Sequence, residues 1–402
     1  MTKPPTTRSV IARLKKLLLQ RDIEAIHQGV ELTVSVDNTA VRNTLLDGVT
    51  YDPGGEFGRL VPNKIFSTTK VGQPWHDLAV TLLLAHSSLP LKNQVTSLTV
   101  GSKNIKTPLP VFSIKGYNKF PNLERLQIQN ITDLKDTDSL GQCETLKQLE
   151  ISATDFQNIT TPPNLQHLTL NQNEQNKPID LAQLSTIKTL TNLNLSCNRI
   201  NAEDTKNLTK LTKLTHLELN RNDIGFKGME QLAKLSDLTH LELNLNGNDI
   251  GNEGAHALTK LTNLTHLELG WNDIGDTGAE SLSKLKNLTH LQLSGNDIGD
   301  TGAQALSKLK NLTHLQLNHN NIGDTGAHAL TNLSNLTHLQ LSWNNISDEG
   351  IMAFLRTSAT TENQLAYLNV QSNYHPDSEI NEINGTTDAS TVFATFRRLY
   401  LT

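Results

Sequence analysis

Residues 288–311 read LTHLQLSGNDIGDTGAQALSKLKN, and residues 312–335 follow as LTHLQLNHNNIGDTGAHALTNLSN. Taking the first leucine of each LxxLxL as a marker places copies at Leu214, Leu238, Leu264, Leu288, Leu312 and Leu336. The steps are 24, 26, 24, 24 and 24 residues, so two residues are inserted once, between His240 and Asp249. A period between about 20 and 50 residues belongs to a solenoid, not to a string of independent domains. Weaker copies continue upstream at Leu190-Leu193-Leu195, Leu165-Leu168-Leu170, Leu146-Leu149-Ile151, Leu123-Leu126-Ile128 and Val95-Leu98-Val100. Downstream candidates are Leu365-Leu368-Val370 and Phe396-Leu399-Leu401.

Within one copy, Leu267 and Leu269 alternate with His266 and Glu268, which sends the leucines inward and the polar pair outward. Stacking that short strand gives a parallel sheet with about 4.8 Å between neighbours, and about twelve strands would display about 53 Å of surface. Asp276 through Lys286 reads as a short helix that buries Ala279, Leu282 and Leu285, with Asp276 or Thr277 capping its own first turn. Helices need about 8–10 Å between axes, so they splay outward and leave the strands on the concave side.

LxxLxLxxNxI followed by GxxGAxxLxxL, as in Leu267, Leu269, Asn272, Ile274, Gly275, Gly278, Ala279, Leu282 and Leu285, resembles the leucine-rich repeat family. The helical-backed, ribonuclease-inhibitor-like subtype of intracellular receptor proteins is the nearest pattern. The resemblance spans roughly residues 95–402 and implies an α/β horseshoe: a leucine-rich repeat solenoid with a parallel concave β-sheet, convex short helices and a helical N-terminal cap. It implies no particular ligand, because such proteins bind many unrelated partners. The near-identity of the copies resembles bacterial proteins, some of which are effectors delivered to host cells.

The expected organisation is a helical cap over 1–90 and a solenoid over 91–402, most regular over 190–350, with a divergent closing section over 351–402. The cap is expected to hold helices over 8–28, 38–46 and 74–86, separated by turn signals at Tyr51-Asp52-Pro53-Gly54-Gly55 and Val61-Pro62-Asn63. An open solenoid needs such a segment to hide the apolar end of its first repeat.

Composition narrows the function classes. Lys and Arg number 35 against 40 Asp and Glu, giving a net charge of −5, which offers no electrostatic basis for nucleic-acid binding. No stretch approaches 18 uncharged apolar residues, so no membrane-spanning helix is expected, and Arg13, Lys15 and Lys16 interrupt the only leader-like run. Two cysteines, Cys143 and Cys197, cannot supply a disulfide framework; they read as small buried fillers in a protein of the cytoplasm, with delivery to a host cell as the alternative.

The repeated asparagines 198, 222, 248, 272, 296, 320 and 344, extended by Asn173 and Asn373, read as structural: a turn that enters the core needs a side chain offering both donor and acceptor. Glycines 225, 251, 275, 299 and 323 read as a tight turn after the isoleucine. The exposed ladders are the candidate protein-binding surface. They comprise His216, His240, His266, His290, His314 and His338; then Glu218, Glu242, Glu268, Gln292, Gln316 and Gln340; and a third strip of Arg221, Trp271, His319 and Trp343. Six interchangeable histidines offer no distinguished base or nucleophile, and a straight ladder does not make a fourfold metal cluster. No catalytic residue, cofactor or metal is expected. The leading expectation is a non-enzymatic scaffold for a protein partner. An activity hidden in the N-terminal region and self-association are the alternatives. Lys234, Lys260, Lys284, Lys286, Lys308 and Lys310 read as solvated surface.

Overall fold

A computed structural model describes residues 7–18, 25–26, 28–29, 45–52, 59–61, 80–81, 83–85, 89–100, 112–131, 133–171, 179, 181–235, 241–360 and 365–373. The remainder of the expected N-terminal helices, and the strand candidate at Phe396-Leu399-Leu401, lie outside these residues. Contacts divide the chain into two units, Met1–Ile179 and Asp180–Thr402.

In the first unit, a helix over Thr7–Leu18 buries Leu14 and Leu18. Strands β1 (Thr50–Asp52) and β2 (Arg59–Val61) pair antiparallel. Strands β3 (Ser97–Val100), β5 (Arg125–Ile128), β7 (Gln148–Ser152) and β8 (His167–Asn171) follow one another in parallel, with Leu98, Leu126, Leu149 and Leu168 in register and buried. β4 (Phe112–Ser113) and β6 (Leu134–Lys135) form a separate two-residue parallel pair. The Tyr51 hydroxyl accepts from the Ser97 amide at 3.0 Å, which ties the β1–β2 hairpin to the first strand of the series. That bond satisfies a backbone donor that an edge strand would otherwise leave open.

The second unit is an α/β solenoid. Its parallel strands are β9 (Asn192–Asn194), β10 (His216–Glu218), β11 (Leu241–Asn244), β12 (Leu264–Glu268), β13 (His290–Gln292), β14 (His314–Gln316), β15 (His338–Gln340) and β16 (Tyr367–Asn369), each paired with the next. One copy buries Leu291, Leu293, Ile298, Ala303, Leu306, Leu309 and Leu312, each no more than 2% exposed. At about 1.5–3 kcal/mol for each large aliphatic side chain, this core is the main stabilising term. The helix of the Leu267 copy runs Asp276–Leu282, shorter than the expected span to Lys286 because the chain turns after Ser283 to deliver Leu285 inward.

Two polar ladders hold neighbouring copies together. The Asn296 side-chain oxygen accepts from the amides of Asn272 and Ile274, and its amide nitrogen donates to the carbonyls of Leu269 and Leu293. Asn222, Asn248, Asn272 and Asn373 show the same kind of bonding; Asn173 lies outside the described residues. The second ladder departs from expectation. Asp276 caps the helix of the following copy, not its own: Oδ1 accepts from Gly299 N at 2.7 Å and Gly302 N at 2.8 Å. Asp300 does the same for Gly323 and Gly326, and Asn252 for Gly275 and Gly278. The close approach explains the second glycine of GxxG, since a Cβ on Gly302 would lie 2.6 Å from Asp276 Oδ1. Gly275, Gly299 and Gly323 have extended, negative-φ backbone, so the tight-turn reading holds only for Gly225 and Gly251, at φ 58° and 63°. Asp300→Ala is expected to lower stability by about 1–2 kcal/mol, as loss of a helix cap does. Urea unfolding of the purified variant measures it.

Candidate functional site

On the sheet face opposite the helices, His266, His290, His314 and His338 stack with ring centroids 4.1–4.2 Å apart and interplanar angles of 10–14°. Tyr367 continues the row at 5.8 Å from His338. A threonine ladder sets their orientation. Thr289, Thr313 and Thr337 each donate through Oγ1 to the carbonyl of the preceding threonine, at 3.0–3.1 Å. A hydroxyl has one proton, so with that proton committed Oγ1 must accept from Nδ1 of the next residue, 2.9 Å away in His290, His314 and His338. The neutral imidazoles are therefore the Nδ1–H tautomer, with the lone pair on Nε2.

The row is interrupted where the sequence reading made it continuous. Glu242 pairs in register with His216 on one side and His266 on the other, and Asn244 with Glu218 and Glu268. Glu242 therefore occupies a histidine position and Asn244 the carboxylate position, while His240 lies outside the described residues. The two extra residues precede the strand, because Leu245 must stay in the core and Asn248 on the asparagine ladder. Along the companion row, Asn194 donates to Glu218 at 2.7 Å, Asn246 to Glu268 at 2.8 Å and Asn318 to Gln340 at 2.7 Å. These bonds fix the polar side chains before any partner arrives.

The third strip has a backbone signature. Arg221, Trp271, His319 and Trp343 all adopt φ between 54° and 57°, and Gly247 and Gly295 hold the same place in the intervening copies. Cys197 and Ser372 also occupy this place, at φ 62° and 55°. Trp271 is 62% exposed and Trp343 56%. His319 stacks on Trp343 at 5.3 Å and 8°, and Trp271 leans over Gly295 to within 5.8 Å of His319. The three rings border a cleft of about 550 Å³ that also includes Asp273, Asp297, Asn321 and Asn345.

Other candidates resolve more simply. Burial pushes the Cys143 thiol up to about 12, which keeps it protonated; Cys197 is only partly buried, contrary to its reading as a core filler. Lys286 and Lys310 reach carbonyls of the next copy, at Lys308 and Asn332. Asn287, Asn311 and Asn335 each donate to a carbonyl of the preceding copy at 2.9 Å, which gives these Asn-Leu-Thr triplets a structural role. Among the described residues, no group of three or more His, Cys, Asp or Glu is placed to hold a metal ion, and no helix is long and apolar enough to cross a membrane.

Buried leucines, an asparagine ladder and one strand per copy make the second unit a leucine-rich repeat solenoid in fold. The family profile described as "Leucine rich repeat" matches residues 188–250, 242–298 and 298–346. Among solved structures, an internalin from Listeria monocytogenes has a TM-score of 0.56 and 20% identity, covering 94% of this chain and 96% of its own. Internalin C2 of the same bacterium has 26% identity and a TM-score of 0.34, covering 46% of this chain and 70% of its own. No curated protein sequence matches the chain.

The cytoplasmic expectation is withdrawn: the structure that covers 94% of this chain is an internalin of Listeria monocytogenes, and that likeness gives a cytoplasmic placement no support. The expectation leaned on cysteine scarcity. A solenoid with a continuous leucine core needs no disulfide in any compartment, so that scarcity carries no compartment information.

Proposed function

We propose that this is a non-enzymatic binding protein that grips a protein partner on the open face of its strands. The contact set is His216, Glu218, Arg221, His266, Glu268, Trp271, His290, Gln292, His314, Gln316, His319, His338, Gln340 and Trp343. The single observation that carries this reading is the pair of tryptophans held more than half exposed on rigid backbone beside ordered polar ladders. Exposed aromatic anchors on a preorganised surface lose little entropy on binding and supply most of the binding energy at protein interfaces. The short helices behind the strands support placing the array in the helical-backed, ribonuclease-inhibitor-like subtype. The internalin likeness favours a bacterial protein acting on a host cell, as a delivered effector would.

The test is a pull-down followed by titration of the recovered partner, comparing the intact protein with Trp271→Ala plus Trp343→Ala. Affinity should fall by about 100-fold or more, as for two interface anchors. Undiminished binding with an intact fold would remove this face from recognition. Retention after deleting residues 190–350 would move it to the N-terminal region, and a concentration-dependent mass by light scattering would favour self-association.

A further inference from the structure

Left-handed backbone is disfavoured for an L-residue, and bulky side chains are rare there. Glycine fills this position without cost at Gly247 and Gly295, yet Trp271 and Trp343 occupy it at φ 57° and 56°. Strain that persists beside a strain-free alternative marks a side chain kept for what it contacts outside the fold. Neither ring is there for the core, since both remain more than half exposed.

Gly295 sharpens the placement. A Cβ there would come within 2.6 Å of Trp271 Cε2 and Cε3, so the missing side chain is what lets the indole lie across its neighbour toward His319. Two residues further along each copy runs a second exposed row: Asp223, Asp249, Asp273 and Asp297. Asp273 and Asp297 line the same cleft as the three rings, and no lysine or arginine lines it. Aromatic faces attract cations through the ring quadrupole, and uncompensated carboxylates add charge complementarity at the same spot.

We propose that the Trp271–His319–Trp343 cleft seats an arginine or lysine side chain from a basic segment of the protein partner, with the cation against the aromatic rings and its charge opposed by Asp273 and Asp297. This rests on the protein-binding reading above and names the chemistry of the partner at one end of that face. A neutral oligosaccharide would also stack on indole, but it would leave the charge of both carboxylates unopposed.

The probe is hexa-arginine, titrated into the full-length protein and followed by tryptophan fluorescence, with the Trp271→Ala plus Trp343→Ala variant reporting the Trp75 contribution. A saturable change is expected, and hexaglutamate and chitohexaose should give none. Asp273→Asn plus Asp297→Asn should weaken the response about tenfold, as should raising salt from about 50 to about 500 mM. Glu280→Gln plus Glu349→Gln, exposed acids on the helical side, should leave it unchanged. Trp343→Gly should melt no lower than the parent, because it relieves left-handed strain, and should still lose the response. A saturable chitohexaose response in place of the hexa-arginine one, an equal response in the Asp273/Asp297 variant, or a stably folded Trp343→Gly that responds fully would each overturn the proposal. A partner lost on replacing both tryptophans, but indifferent to Asp273→Asn plus Asp297→Asn and to hexa-arginine competition, sinks the cation alone. A partner retained by every sheet-face variant sinks the wider reading.

Discussion

Asn296→Leu is expected to unfold the centre of the array. The substitution strands two amides, Asn272 N and Ile274 N, and withdraws the donor from two carbonyls, Leu269 O and Leu293 O. The asparagine is 6% exposed, so water cannot replace what is lost. Each buried unsatisfied group costs about 1–3 kcal/mol, so the two amides alone give about 2–6 kcal/mol. That is a large share of the roughly 5–15 kcal/mol available to a typical domain. Leucine adds apolar bulk but has no polar atom to offer in return. Denaturant unfolding followed by circular dichroism measures the loss. Asn345→Ala, at an exposed neighbouring position, should stay within about 0.5 kcal/mol of the parent. A midpoint for Asn296→Leu indistinguishable from that of the control would mean the ladder is decorative.

Acid should destabilise the second unit in the range where histidine takes up its proton. The His314 pKa lies below its ordinary value of 6.5 because burial disfavours the cation and the His338 and His266 charges oppose it. The folded state therefore binds fewer protons than the unfolded chain just below that pH. Stability is full above about 6.5 and is lost as pH falls through that value toward the lowered folded pKa. Two unit charges about 4 Å apart repel by about 1 kcal/mol at the dielectric of water, and salt screens this further. The groups facing His314 are His290 and His338 within the row, with the polar companions Gln292, Gln316 and Gln340 alongside. Thermal melts at pH 5 and at pH 8 should differ by several degrees, and the difference should shrink when His290 and His314 are both replaced by glutamine. A parent protein with equal melting points at both values would show that the stacked rings titrate independently of folding. Any partner held on this row should show affinity that changes over the same range.

How far the fold could be read from the sequence follows from what repetition does and does not encode. Strand order, the leucine core and the role of Asn296 follow from residue identity at a fixed period. The slip at Glu242 does not, for a physical reason. A one-residue shift would turn every side chain to the opposite face, whereas a two-residue shift leaves the inward and outward alternation intact. Asn246 and Asn248 are both asparagines, so only the requirement to keep Leu245 buried and Asn248 on its ladder fixes the frame. The cap made by Asp276 on the next copy was hidden because DTGA repeats in three successive copies, and sequence cannot tell a side chain bonded within its own copy from one bonded to its neighbour. The left-handed strip did leave a signal. Gly247 and Gly295 fall in the column of Trp271 and Trp343, and glycine alternating with bulky residues at one place is what a positive-φ position produces.

The two polar ladders point in opposite directions along the chain. Asn296 completes the turn of the copy before it, whereas Asp300 completes the helix of the copy after it. The junctions capped by Asn252, Asp276 and Asp300 therefore use the same two kinds of bond. Removing or duplicating a whole 24-residue unit regenerates both at the new seam, while any partial excision breaks both. A gene with this layout can lengthen or shorten its product by unequal recombination between near-identical segments without redesigning the core. The reach of its binding surface is thus an easily inherited variable, adjustable one strand at a time.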